Sequence, residues 1–428
     1  MIVPVEEWES TFRSQEGSGR LRSGGAVTLM RDEIKCLAGV EIPAAIPWEP
    51  FAAPVLEFLD QLSAAIRKES KENRLYEEIA AFGFWCRRSN LNAFRNRYED
   101  GRIRLGRGLI FHIPATNVPV LFAYSLVIGL LAGNGCVVRI SGRSQTQDLK
   151  LCDIMGALLN RNEHRTIKER ISVFTCSRDD DRVRMWLEQC DGTVIWGGDE
   201  TITSIRCMPM KPDAVQVMFP DRYSICILDV EHMKKIQEET FKELAHRFYR
   251  DTYAMDQNAC SCPRFVLWNP GKNALQTSLI QKKWWKAVAE AASDYEITAY
   301  KATSKYEFLC SIAMLLDEAV GIECYENLLY TIMLSKIPGN VEQLRGNCGI
   351  FFEYAGNWRS ILSQLAVRQL QTVTYYGLEK QDLTDYVVQH HLYGIHRVVP
   401  VGRAMDMDLI WDGQDLITML SRQISQEG

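Results

Sequence analysis

In the stretch TYAMDQNACSCPRFVLWNP, Cys260 stands between two small residues, Ala259 and Ser261, with Pro263 stopping the segment. The pattern predicts a loop between a helix and a strand. A cysteine nucleophile needs exposure and a path for the electrophile, and small neighbours give both. Backbone N–H groups in such a tight loop can face an oxyanion as it develops on an attacked carbonyl. Cys262 is a rival, because residues two apart in an extended segment face the same way. The plain alternative for either is a small buried hydrophobe. Cys-Ser-Cys has no paired Cys or His stretch nearby in sequence, and His390, His391 and His396 lack ligand spacing, so no metal site is expected.

A second set of residues could hold a phosphate-bearing ligand. In VIWGGDE, Gly197 and Gly198 follow an apolar run and would let the backbone approach a pyrophosphate, or simply make a turn. In VVRISGRSQTQD, Arg139, Ser141 and Arg143 follow or end a strand. The chain contains no G-x-G-x-x-G fingerprint, so a standard dinucleotide motif does not support the reading. Asn117, between two apolar runs, has a turn-former as its bland role.

These residues must be positioned by alternating elements. Apolar residues at 51, 55, 58, 59, 62, 65 and 66 follow helical spacing, and 75–97 is a second helical candidate. Leu109–Ile113 reads as a buried strand, Pro119 opens a helix to Leu131, and Cys136–Ile140 is the next strand, a β-α-β unit. A helix (148–159), a strand (171–174), a helix (179–189) and a strand (193–196) follow. A second block has strands at 224–228 and 264–268, with a helix from Asp229 through Phe248 between them. Helices are predicted at 278–293, 305–320 and 357–370, and the last thirty residues hold a strand and a helix. Such alternation predicts parallel sheets with helices on both faces. Ile113–Val138 carries no Asp, Glu, Lys or Arg, but Asn117, Pro119, Asn134 and the small residues 132–135 suit a buried strand–helix–strand better than a membrane span.

The 428 residues suggest two or three domains. A net charge of -5 forms no strong cationic field, which argues against nucleic acid. Thirteen Cys, an odd number without framework spacing, point to reduced thiols in the cytoplasm, and MIVPVEEWESTFRS shows no secretion signal.

The stretch FHIPATNVPVLFAYSLVIGLLAGNGCVVRIS, with VIWGGDE, DQNACSCPR and the tail GIHRVVPVGRAMDMDLIWDG, resembles the LuxC-type fatty acyl-CoA reductases associated with bacterial luciferase. The blocks occur in the family's order, from about residue 75 to the end. That family is similar to the aldehyde dehydrogenases. The resemblance therefore implies an α/β fold of two doubly wound parallel-sheet domains with a cleft between them. The expected boundaries are an N-terminal helical segment (1–100), a nicotinamide-binding domain (101–222), a catalytic domain (223–395) and a C-terminal strand and helix (396–428).

The resemblance matches Cys260 to the acylated nucleophile, in preference to Cys262, and Asn117 to the oxyanion-binding amide. It places the adenosine ribose and its phosphate near Arg139, Ser141 and Arg143, where arginine suits a 2′-phosphate and so NADPH, with NADH the alternative. The implied activity is reduction of a long-chain acyl thioester, acyl-CoA or acyl-protein, to the aldehyde. The implied partners are an acyl carrier, an acyl-protein ligase and further copies of the chain. Aldehyde dehydrogenases carry a water-activating glutamate that would fall near Met218, where no carboxylate stands; Asp221 is three residues away. That departure favours thioester chemistry over oxidation. His396 stands where the family commonly has an acid. The alternatives are a CoA-acylating or oxidising dehydrogenase acting on shorter aldehydes, and a non-catalytic scaffold subunit.

Overall fold

The computed structural model describes residues 36–72, 75–142 and 146–425; Arg143 and residues 1–35 lie outside them. The strands are β1 (Cys36–Gly39), β2 (Ile103–Gly106), β3 (Leu109–Ile113), β4 (Gly135–Ser141), β5 (Ile171–Cys176), β6 (Gly192–Trp196) and β7 (Val215–Phe219). The second block supplies β8 (Tyr223–Asp229), β9 (Pro263–Asn269), β10 (Ala319–Tyr325), β11 (Leu329–Leu334), β12 (Ile350–Ala355), β13 (Leu370–Tyr376) and β14 (Arg397–Pro400).

The first sheet has the order β1-β5-β4-β3-β6-β7, parallel except for β1 at its edge. Its central strands are fully buried apolar runs, as a sheet covered on both faces requires. One face is covered by the helices Ala53–Glu72, Glu77–Trp85, Leu121–Leu131 and Thr146–Leu159. The other is covered by Asp181–Gln189 and Asp199–Arg206. The predicted helix over 75–97 is two helices, Glu77–Trp85 and Arg88–Asn96. The helix expected to open at Pro119 starts at Leu121, behind Val120 at a left-handed φ of 65°. Asp148 accepts from the Val120 N–H at 2.8 Å, which satisfies a donor the helix itself leaves orphaned.

The second sheet runs β10-β11-β12-β9-β8-β13-β14, all parallel except β10. Helices Glu238–Thr252 and Ala274–Ala291 cover one face, and Trp358–Leu365 and Lys380–Gln389 the other. The helix expected from Asp229 through Phe248 is divided. Asp229 caps a short turn, Val230–Met233, and a second helix begins at Glu238. Among the described residues no helix is long and apolar enough to cross a membrane, and 113–138 is the strand–helix–strand of β3, Leu121–Leu131 and β4.

The C-terminal stretch returns to the first sheet. Leu409, Trp411, Leu416, Ile417 and Leu420 join its core, and Ser421–Ile424 pairs antiparallel with β2. Buried Asn134 ties the two together. Its amide donates to Leu420 O at 2.8 Å and Gly129 O at 3.2 Å, and its carbonyl accepts from the N–H of Arg107 at 2.7 Å and of Gly108 at 3.1 Å.

Candidate active site

From β3, the chain steps outward in one direction through β4 and β5 and then returns to β6 on the opposite side. The order reverses between β3 and β6, and in open α/β sheets the ligand crevice lies outside the carboxyl ends of the strands at that reversal. A cleft of about 310 Å³ opens there. Its walls include Ile113–Asn117 after β3, Arg139 and Ser141 at the end of β4, Arg178 after β5, and Trp196–Gly198 and Thr201 after β6. Five sequence-predicted residues, Asn117, Arg139, Ser141, Gly197 and Gly198, therefore meet in one place.

Arg139 is not a solvated strand end. It is 8% exposed, and its Nε and Nη2 donate to Cys176 O at 3.2 and 3.1 Å, which fixes the guanidinium across β4 and β5. Arg178, absent from the sequence prediction, supplies an exposed guanidinium to the same cleft. Gly198 lines the cleft and is the N-cap of helix Asp199–Arg206, whose first turn has no side-chain cap. The Arg178 guanidinium, an amide and several hydroxyls form a donor set suited to phosphate oxygens.

Cys260 is not among the cleft residues. It belongs to the amino edge of the second sheet, three residues before β9. Only Pro220, Asp221 and Arg222 separate β7 from β8, so the carboxyl edge of the first sheet leads directly into the amino edge of the second. Cys260 accordingly packs against the core of the first sheet, as does Ala115 from the cleft wall.

The loop carrying Cys260 is held by its own backbone. Asp256 and Gln257 take left-handed φ values of 51° and 60°, turning the chain after helix Glu238–Thr252. Arg264 donates twice to Gln257 O, at 3.1 and 2.7 Å, and Ser224 Oγ donates to Cys260 O at 2.7 Å. Cys260 is half-buried, whereas Cys262 is 1% exposed and its sulfur lies 3.6 Å from Met405 Sδ. The two rivals thus face different surroundings, and Cys260 is the more exposed of the two. Burial and the nearby Asp412 carboxylate push the Cys260 thiol up to about 11, against the pull of the Gln371 amide, Arg264 and Arg397.

Gln371 and Asp412 escaped the sequence reading. Gln371 Nε2 donates to Cys260 Sγ at 3.2 Å and also to the Asp412 carboxylate. Asp412 and Gly413, at φ 47° and 72°, form the two-residue turn between Ile410–Trp411 and Gln414–Asp415. Asp-Gly is the signature of that hairpin turn, so the signal for Asp412 was present in WDG, although nothing in it pointed to Cys260. Arg222 Nε lies 3.5 Å from Asp412 Oδ2, and a Cβ on Gly413 would stand 2.9 Å from His396 Nδ1. His396 therefore borders a buried carboxylate, where an acid would be repelled. Asp221 is paired instead with Arg345 at 3.5 Å, and Met218 O accepts from Gln414 at 3.1 Å.

A family model described as acyl-CoA reductase (LuxC) matches residues 44–423. The chain belongs to the LuxC acyl-CoA reductase family. A relative, the long-chain acyl-protein thioester reductase of Vibrio harveyi, is 26% identical over 180 residues, 41% of this chain and 35% of the relative. The match thus spans about a third of that relative's length. Among solved structures, an NAD-dependent aldehyde dehydrogenase from Sinorhizobium meliloti superposes with a TM-score of 0.61 at 10% identity, over 88% of this chain and 82% of that one. A bifunctional proline utilization A protein gives 0.60 at 13% identity, over 87% of this chain and 42% of its own. This LuxC-family chain has the aldehyde dehydrogenase-like fold.

Proposed function

We propose that this protein reduces a long-chain fatty acyl thioester, carried by CoA or by a protein, to the aldehyde, with Cys260 as the acyl acceptor. The observation that carries the reading is half-buried Cys260 at the seam of the two sheets, adjoining the core on which the β3–β6 cleft is built. The sulfur attacks the thioester carbonyl, the C–S bond to the carrier breaks, and the carrier leaves as its thiol. The Asn117 side chain and the Cys260 N–H are the donors proposed for the tetrahedral oxyanion; a lost donor of this kind costs about 3–4 kcal/mol.

In this reading the cleft takes a nicotinamide dinucleotide, with Gly197 and Gly198 beside the pyrophosphate and Arg139, Ser141 and Arg178 toward the ribose; Arg143, expected there from the sequence, lies outside the described residues. Because Arg139 donates to Cys176 O, Arg178 is, among the described residues of the cleft, the guanidinium left to meet a 2′-phosphate, which favours NADPH. The bound cofactor supplies the hydride equivalent, so that the acyl group leaves as aldehyde and Cys260 recovers its thiol. The chain's contribution is to hold the acyl group on sulfur away from water. We further propose a cytoplasmic setting, an acyl-protein ligase as donor, a homo-oligomer, and the division 1–100, 101–222, 223–395 and 396–428.

The test is anaerobic incubation of the protein with acyl-CoA of increasing chain length, with intact mass and trapped aldehyde as readouts. Without NADPH, one acyl mass should appear on the peptide containing Cys260; with NADPH, it should be replaced by aldehyde. Full aldehyde production by Cys260→Ala, or acylation confined to Cys262, would overturn the reading.

A further inference from the structure

Gln371 is fully buried and stands at the amino end of β13, two strands from β9. A glutamine amide has a donor end and an acceptor end, and its neighbours decide which faces a third group. Here two neighbours agree. An ionised Asp412 carboxylate can only accept, so it holds the NH₂ end. The Thr372 hydroxyl donates to Oε1 at 3.3 Å, so it holds the carbonyl end. The remaining N–H therefore points at Cys260 Sγ, 3.2 Å away. Asp412 is fixed in turn, at 6% exposure, by Arg222 and by its place in the hairpin turn. Ser224 joins the assembly by donating to Cys260 O and accepting from the Thr372 N–H at 3.2 Å.

We propose that Gln371 is a catalytic residue, whose oriented amide donates to the Cys260 sulfur, and that Asp412 is the positioning residue that fixes this orientation. The inference rests on reading Cys260 as the acyl acceptor. An N–H aimed at sulfur stabilises thiolate and cannot accept the proton of a thiol. The amide therefore favours the attacking form of sulfur and, later, its departure from the reduced carbon. Asp412 has a second, opposite effect: its charge disfavours thiolate. The other charged groups bearing on the sulfur are Arg264 and Arg397, while Arg222 and His396 bear on Asp412. The two residues thus pull the sulfur in opposite directions, which a purely structural pair would not do.

The test is the rate of Cys260 alkylation by iodoacetamide from pH 6 to 11, read by peptide mass spectrometry because the chain has 13 cysteines. Full-length protein, Gln371→Met and Asp412→Asn are compared. At pH 8, Gln371→Met should react about tenfold more slowly, with its pH midpoint moved up, as loss of a charge-assisted hydrogen bond requires. Asp412→Asn keeps an acceptor for the amide but loses the charge, and should react several-fold faster, with its midpoint moved down. Unchanged midpoints, or shifts of the same sign, overturn the inference. Should Gln371→Met not fold, Gln371→Asn, whose shorter side chain withdraws the amide from the sulfur, takes its place with the same expected shift. Alkylation needs no acyl substrate. The expected pair of shifts in a protein that takes up no acyl group would leave this inference standing and overturn the proposed function instead.

Discussion

Replacing Gln257 by alanine should lower stability by about 3 kcal/mol and loosen the loop that presents Cys260. Gln257 is fully buried, three residues before Cys260. Its Oε1 accepts from Gly349 N at 2.7 Å and more weakly from Ile350 N at 3.3 Å, and its Nε2 donates to Ile350 O at 3.2 Å. Ile350 N keeps Asn347 O as a partner at 3.1 Å, so the loss falls mainly on Gly349 N and Ile350 O. A buried donor left without a partner costs about 1–3 kcal/mol, and a lost neutral hydrogen bond about 0.5–1.5 kcal/mol. The backbone gives an internal control. At φ 60°, Gln257 occupies a left-handed conformation that disfavours alanine by about 1 kcal/mol or more relative to glycine. Gln257→Gly should therefore be more stable than Gln257→Ala by about 1 kcal/mol, although glycine is the poorer residue elsewhere. Urea unfolding followed by tryptophan fluorescence measures both, and iodoacetamide labelling reports the loop. An alanine variant within about 0.5 kcal/mol of wild type, or a glycine variant below the alanine one, would refute the reasoning.

Asn134→Ala should cost about 3–5 kcal/mol and release Ser421–Ile424 from β2, seen as fast amide exchange over 421–424, because a buried amide using both ends leaves several unpaired backbone groups. Asp251 is buried, accepts from the N–H groups of Gly402 and Ala404, and is pushed up to about 7 by burial, above its ordinary 3.8. An acid raised on folding contributes stability below its unfolded value and loses that contribution as pH rises through its folded one. Stability relative to Asp251→Asn should accordingly fall from about pH 4 to about pH 7, by at most about 1.4 kcal/mol per pH unit; a flat difference would count against it. Arg178→Ala should raise the KM for NADPH about tenfold and leave that for NADH nearly unchanged, as loss of a phosphate-pairing guanidinium requires. Equal effects on the two cofactors would move the 2′-phosphate elsewhere.

The alternation of apolar runs and helical spacings from 109 to 196 was enough to place β3, β4, β5 and β6, because strands buried on both faces must be apolar throughout. β7 was not recognised, since Val215–Phe219 alternates buried and partly exposed positions at the sheet edge. The missed break before Glu238 has a local cause: Asp229 caps one turn only, and the apolar spacing from Met233 to Phe248 continues across the interruption. Within the site, the residues near strand ends were legible, because glycine pairs, an arginine and a small-residue cysteine loop carry their chemistry in short contiguous stretches. Ser224, Gln371 and Asp412 carry none. Each is an ordinary polar residue whose partner lies 36, 111 or 41 positions away.

Local sequence therefore determined the type and order of the elements from β3 to β6 and a small-residue loop carrying Cys260 and Cys262, since these follow from periodicity, turn chemistry and residue type over short spans. The choice of Cys260 came from the family resemblance, and the β3–β6 reversal that opens the cleft from the sheet order. Tertiary structure alone decided that Cys262 is buried while Cys260 is half-exposed, that Arg139 donates to a carbonyl, and that β13 brings an amide to the sulfur and a hairpin turn near the C-terminus a carboxylate to that amide. Burial, charge and hydrogen-bond direction depend on which atoms meet, and contacts between residues 36 to 111 positions apart leave no periodic trace in the chain.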